Sequence, residues 1–389
     1  MDENYEKLLK SVTVKKNMNE ILTKNRVRNH GIDFIRIIAM YGIVVNHIMY
    51  GEKTLSKYNK FKQLKLLHIL LFWHNNGFIF ISGFVGYKAH KYSNLFYLWI
   101  SVFFYSVIIH LIYLKYKPQI IINDKFYYNL FPIIFNRYWF FTAYFGMYLF
   151  LPIINKGIAD LNKSELKICF ISLLVIFVFW HDVMNLDNDI FLINKGFSVL
   201  WLLIFYISGA YFGKYKTKFF ETKQFYYFLI NFLIYVFTSI LYYIIYNYET
   251  NSLNIDIKLR IIIILKHVLT ENYDSNLKVI QSISVISFMS QINYNKYLGN
   301  IISSIGNLIF GVYLIHNNKC IKEDIINNLF NNEKNDISVS SVYRLFMTKS
   351  LLILIICIII DYLRNCLFHF LKIRKNCIIL EKKLFEILK

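Results

Sequence analysis

Three prolines and fourteen glycines in 389 residues leave no room for a loop-rich or collagen-like chain. The five cysteines, Cys169, Cys320, Cys357, Cys366 and Cys377, form no CxxC pair, and three of them fall inside apolar stretches. That pattern indicates neither a disulfide framework nor a metal site. The first 30 residues are polar and charged, with no apolar core and no small-residue cleavage site, so no signal peptide is expected. No polar stretch is long enough for an extramembrane domain, and no internal repeat recurs at a fixed period. Any chemistry is therefore expected within or at a membrane.

What is present is apolar. Hydrophobic residues make up 56% of the chain and aromatic residues 19%. They gather in runs near 31–50, 66–87, 95–114, 138–155, 166–181, 197–213, 225–246, 277–290, 299–317 and 349–370. Most approach the ~20 residues that a helix needs to cross a bilayer. The expectation is an all-α, polytopic integral membrane protein of about ten transmembrane helices. The run at 277–290 is short, and KLRIIIILKHVL at 258–269 is a rival or a re-entrant piece. The segment 117–137, with FYYNLFPIIFNRY at its end, reads as an interfacial aromatic helix rather than a span. The 31 tyrosines and 36 phenylalanines are read mainly as packing and lipid-facing residues.

The formal charge of +20 lies mostly between the runs. It fits anchoring to anionic lipid, or a phosphate-rich partner such as a nucleotide cofactor or a lipid pyrophosphate. Nucleic acid is not expected, because the basic residues are scattered rather than gathered in one soluble module. Lys15, Lys16, Lys24, Arg26 and Arg28 in the N-terminal arm, and Lys214, Lys216, Lys218 and Lys223 in a later loop, favour a cytoplasmic N-terminus. The acidic loop WHDVMNLDND at 180–189 suits the outer side, while the lysine-rich loop 51–65 argues the other way. The expected organisation is a cytoplasmic arm at 1–30, a membrane domain at 31–370 and a cytoplasmic tail at 371–389.

The first run, GIDFIRIIAMYGIVVNHIMY, carries Arg36 and His47 in what reads as hydrocarbon. Eleven helical steps turn about 1100°, about 20° beyond three full turns, and rise roughly 16 Å. The two residues thus share one face. Singly, Arg36 reads as the partner of Asp33 at i−3, and His47 as an interfacial histidine bonded to a neighbouring helix. Together they would line one interior groove.

The spacing Arg36-x10-His47 after GIDFIRIIAM resembles the opening motif of the membrane acyltransferase 3 family. The similarity continues in FIFISGFVGYK (78–88), YWFFTAYFGMYLFLPIIN (138–155), IGNLIFGVYLIHNN (305–318) and DYLRN (361–365). The ordered set spans most of residues 30–370. The resemblance implies a ten-helix enzyme of the bacterial inner membrane. Such an enzyme moves an acyl group, usually acetyl, from a coenzyme A thioester to sugars of surface polysaccharides or their lipid-linked precursors. No tightly bound cofactor is implied. His47 would be the base or transient acyl carrier, and Arg36 would help hold the donor.

The chain departs from the family where many relatives carry Arg-x-x-Arg after the SGF stretch. Here YKAHKYSN places Lys88 and Lys91 at that spacing, as candidates for the donor's phosphates. No counterpart of the fused hydrolase-like domain of some relatives is expected within these 389 residues. His181 and His316 end outer-directed helices, and His74 lies at nearby depth. His74, Asn76, Ser82, Trp139 and His316 are the candidates for the acceptor or for the oxyanion donor, with Trp139 also suited to an interfacial belt. A polysaccharide polymerase or lipid-linked-sugar flippase remains an alternative with similar composition. Paired glycine or proline breaks that would suggest a channel or transporter are lacking.

Overall fold

A computed structural model describes residues 28–50, 64–88, 90–122, 124–180, 189–215, 225–251, 272–329 and 338–388. The described residues form helices and turns, with no strand among them. The rival segment 258–269 and His181 lie outside them.

Helix α1 (His30–Met49) starts where Asn29 Oδ1 accepts the Ile32 N–H. It is the central post of the molecule. Ile35, Ala39, Val44, Val45 and Ile48 on its several faces are fully buried. Around it stand α2 (Leu64–Leu71), α3 (His74–Gly86), α10 (Asn276–Met289), α11 (Lys296–Gly306), α12 (Ile309–His316) and α13 (Val339–Phe370). The second layer holds α4 (Tyr92–Tyr116), α6 (Trp139–Asp160), α7 (Lys163–Leu174), α8 (Val199–Tyr215) and α9 (Phe225–Asn251). Among the described residues, five helical stretches are long and apolar enough to cross a membrane: His30–Met49, Leu67–Gly86, Tyr92–Tyr116, Lys296–His316 and Ser340–Phe370. Val199–Tyr215, Leu229–Leu241 and Lys278–Met289 are apolar but shorter.

The second span breaks at Phe72–Trp73, between α2 and α3, a feature its continuous apolar run concealed. A break in hydrocarbon strands backbone carbonyls that water cannot reach. Here other helices supply the donors. Tyr235 Oη donates to the Leu70 carbonyl at 2.7 Å. Lys278 Nζ and Gln281 Nε2 both donate to the Ile69 carbonyl, each at 3.2 Å. The run 299–317 is likewise two helices, α11 and α12, parted at Asn307–Leu308.

The expected interfacial helix at 117–137 is mostly turns. It holds a 3-10 turn (Pro118–Ile120) and one short helix, α5 (Phe126–Leu130). Its shape comes from Asp124, which Arg137 grips with two bonds of 2.6 and 2.8 Å and Asn129 Nδ2 meets at 3.1 Å. Burial pushes the Asp124 carboxyl up, but the hydrogen bonds of Asn129 and Arg137 and the Arg137 charge outweigh it and leave it below the usual range. This hairpin fixes the start of α6 and hence Trp139. The tail is also ordered. Lys372 turns the chain at φ 54°, and α14 (Ile373–Ile387) folds back on the start of α4, where Glu381 accepts the Tyr92 N–H at 2.6 Å.

The SGF glycine has a packing role. Gly83 of α3 lies against the α8 backbone, and a Cβ there would sit 2.8 Å from the Tyr206 carbonyl carbon. Gly209 and Gly213, one turn apart on α8, meet the backbone of α3 in return. This is the small-residue crossing by which membrane helices approach closely. Gly83→Ala is expected to destabilise the fold by about 1–3 kcal/mol, read as a lower melting temperature in detergent. Gly86→Ala is the control, because its new Cβ would meet Tyr206 at an ordinary 3.5 Å.

Candidate active site

At the C-terminal end of α1, His47 faces His316 from α12. His47 Nδ1 and His316 Nε2 are 3.0 Å apart, and His316 Nδ1 lies 2.6 Å from the Val312 carbonyl oxygen. A carbonyl only accepts, so His316 Nδ1 carries a hydrogen. His316 is fully buried, and an imidazolium in hydrocarbon without a counter-charge is costly. Its Nε2 is therefore the acceptor, and His47 Nδ1 donates to it. The tautomer follows: His47 Nε2 keeps its lone pair. That is the arrangement of a general base held by a second group.

His47 borders a chamber of about 210 Å³. Two more histidines line it, joined by one amide. His68 Nδ1 donates to Asn46 Oδ1 at 3.1 Å, and Asn46 Nδ2 donates to His74 Nε2 at 2.9 Å. His74 Nδ1 then donates to Asn75 Oδ1 at 3.2 Å. Most of the remaining wall is aromatic. Phe72 and Tyr273 stack with ring centres 4.5 Å apart, and Trp139 lies 6.3 Å from Tyr273 and 4.5 Å from Phe197.

A larger chamber, about 730 Å³, opens on the N-terminal half of α1. Arg28, Arg36, Arg364 and Arg374 line it. Asp33 binds two of them: Arg36 Nη1 at 2.9 Å and Arg28 Nε at 2.6 Å, with Ser303 Oγ at 2.7 Å. Asp361, fully buried, clasps Arg364 with two bonds of 2.9 Å and accepts the Tyr105 hydroxyl at 2.8 Å. Gly311 makes room for that carboxylate, since a Cβ there would overlap it. Four guanidinium groups against these two carboxylates leave the chamber positive, with planar donors suited to phosphates. The two chambers share Ile43, Asn75 and Tyr313 as lining.

The residues singled out from the sequence fall into separate groups. Arg36 lines the arginine chamber; His47, His74 and Trp139 line the histidine chamber, and His316 buttresses His47. Ser82 lies in the arginine chamber and donates to the Phe78 carbonyl. Asn76 lines neither chamber. Its Nδ2 donates to the Tyr273 carbonyl at 2.8 Å, and its Oδ1 accepts the Trp201 indole N–H at 3.0 Å. Lys88 and Lys91 are exposed and border neither chamber. Sequence reasoning missed Asn46, His68 and Asn75, although each stands beside or near a histidine it had noted. It quoted Arg364 without a role and passed over Arg374 and Tyr273, which no periodicity marks.

A family model described as an acyltransferase domain matches residues 29–362. No curated protein and no solved structure matches the chain.

Proposed function

The chain belongs to the membrane acyltransferase 3 family, and from that premise we propose that it moves an acyl group, acetyl foremost, from acyl-coenzyme A to a hydroxyl of a cell-surface polysaccharide or its lipid-linked precursor. Membership makes it an acyltransferase and sets aside the polymerase or flippase alternative. The proposal includes ten passes through a bacterial inner membrane, both termini cytoplasmic, and anionic lipid around the outlying lysines, Lys88 and Lys91 among them.

One observation carries the reading. An arginine-lined chamber and a histidine-lined chamber lie along the same face of α1 and meet at Ile43, Asn75 and Tyr313. The donor's phosphates fit the guanidinium groups of Arg28, Arg36, Arg364 and Arg374. Its extended pantetheine arm is of the order of the roughly 16 Å between Arg36 and His47. That brings the thioester to the junction. There His47 Nε2 takes the proton of the acceptor hydroxyl as its oxygen bonds to the thioester carbon. The C–S bond then breaks, and the coenzyme A thiolate recovers the proton from His47. The His47 imidazolium formed in between is held by His316 Nε2, which already accepts from it.

The test of the function compares glycan ester content in cells with and without the gene, alongside free-thiol release from acetyl-CoA by their membranes. Equal values in both would remove the reading. The donor site is tested separately by thermal stabilisation of purified protein. Ligand at 100 times its Kd stabilises by about 2.7 kcal/mol. Arg36→Ala is expected to lose at least half of the shift produced by coenzyme A, yet remain folded, because Asp33 keeps Arg28 and Ser303. An undiminished shift would place the donor elsewhere.

A further inference from the structure

Acyl transfer requires something that the two chambers, described so far, do not provide. When the thioester carbonyl becomes tetrahedral, its oxygen carries negative charge, and a preorganised donor must meet it. Three residues border both chambers, and Ile43 brings no donor. The Tyr313 hydroxyl is sealed within the protein, so only its ring forms wall. Asn75 is different. It is 9% exposed, and its side chain reaches the junction from the first turn of α3. Leading backbone N–H groups and the positive helix end are directed toward that same end of α3.

The orientation of the Asn75 amide is set from behind. Asn75 Oδ1 is taken by His74 Nδ1 at 3.2 Å; His74 Nε2 is taken by Asn46 Nδ2 at 2.9 Å; Asn46 Oδ1 is taken by His68 Nδ1 at 3.1 Å. With Oδ1 committed, Nδ2 is the atom left over. Among the described residues it has no acceptor, whereas the neighbouring Asn76, which lines neither chamber, has both ends of its amide engaged. Ile43, one helical turn before His47 on α1, places the junction directly beside the base.

Resting on the acyl-transfer reading, we propose that Asn75 is a catalytic residue whose Nδ2 donates a hydrogen bond to the thioester oxygen as it becomes an oxyanion. In the forward step the acceptor oxygen bonds to the carbonyl carbon and its proton passes to His47 Nε2. The carbonyl π pair moves onto oxygen, where Asn75 Nδ2 binds it. When the pair returns, the C–S bond breaks and the thiolate leaves with the His47 proton. The products are the ester and free coenzyme A.

The test uses acetyl-CoA as donor and the membranes of the cells that make the protein as the source of acceptor, with free thiol as the readout. Asn75→Ala removes the amide. Asn75→Asp keeps its shape and its bond from His74 but removes the Nδ2 donor. Both are expected to lower kcat by about 10²–10³-fold, the usual loss for one oxyanion donor, with the KM for acetyl-CoA within about threefold of wild type. Coenzyme A should still raise the melting temperature of both purified variants as it does wild type. The inference is overturned if either variant keeps kcat within about threefold. It is equally overturned if the loss of kcat comes with loss of the coenzyme A shift, which would make Asn75 a binding or folding residue. If membranes holding the wild-type protein release no more thiol than membranes from cells without the gene, the acyl-transfer reading itself has failed, and the role of Asn75 goes with it.

Discussion

His47→Ala is expected to abolish acyl transfer from the wild-type chain while leaving the helices assembled. Removing a general base typically costs ~10²–10⁴-fold in rate. Here the loss should be of that order. Both ring nitrogens of His74 are engaged, and His316 does not line the chamber. The fold should persist, since His47 is half-buried and His316 keeps its bond to the Val312 carbonyl. His47→Gln sharpens the test: an amide can still donate to His316 Nε2 but cannot act as a base. The measurement is thiol release at matched protein level, with melting temperature alongside. Wild-type rates in either variant would take His47 out of the mechanism.

Asp361→Ala is expected to have the largest effect on stability. Its carboxylate is fully buried and accepts two bonds from Arg364 and one from Tyr105. Removing one partner of a buried pair costs about 3–5 kcal/mol, because the other charge stays behind without compensation. For a marginally stable protein that is a large share of the total. The variant should reach the membrane poorly or melt far below wild type. Replacing both partners with apolar residues of similar size should restore much of this, since apolar replacement of a buried pair is often neutral. The pair Asp361→Leu, Arg364→Met should therefore fold yet bind coenzyme A weakly, because Arg364 also lines the arginine chamber. A double variant no more stable than Asp361→Ala would show that the pair is needed for more than charge balance.

The face of α1 was legible because helical periodicity is a local property: Arg36 and His47 need only their own helix to be related. The families of short motifs were legible as patterns, and the structure supplies physical reasons for two of their glycines. Gly83 lets α3 touch α8, and Gly311 makes space for Asp361. What was not legible depends on segments far apart in sequence. Arg28, Arg364 and Arg374 converge on Arg36 only because α13 and α14 return to the start of α1 and α4. Lys88 and Lys91 have the spacing, and the structure shows them exposed and lining neither chamber. Asn75 and Asn76 were indistinguishable as letters; only the partners of each amide separate them. The break at Phe72–Trp73 was hidden because its compensating donors, Tyr235, Lys278 and Gln281, belong to other helices.

That break divides the second span into two levers of unequal stiffness. The α3 lever is clamped backbone to backbone against α8 through Gly83 and Gly209, so it has almost no play. The α2 lever is tethered at its end by side chains from α9 and α10, longer and more compliant than a backbone contact. Phe72 sits at the joint and forms part of the aromatic wall, whereas Asn75 lies on the clamped side. Strain reaching the span from the surrounding bilayer is therefore absorbed in α2 and the wall, and the register between Asn75 and His47 is the last thing to give.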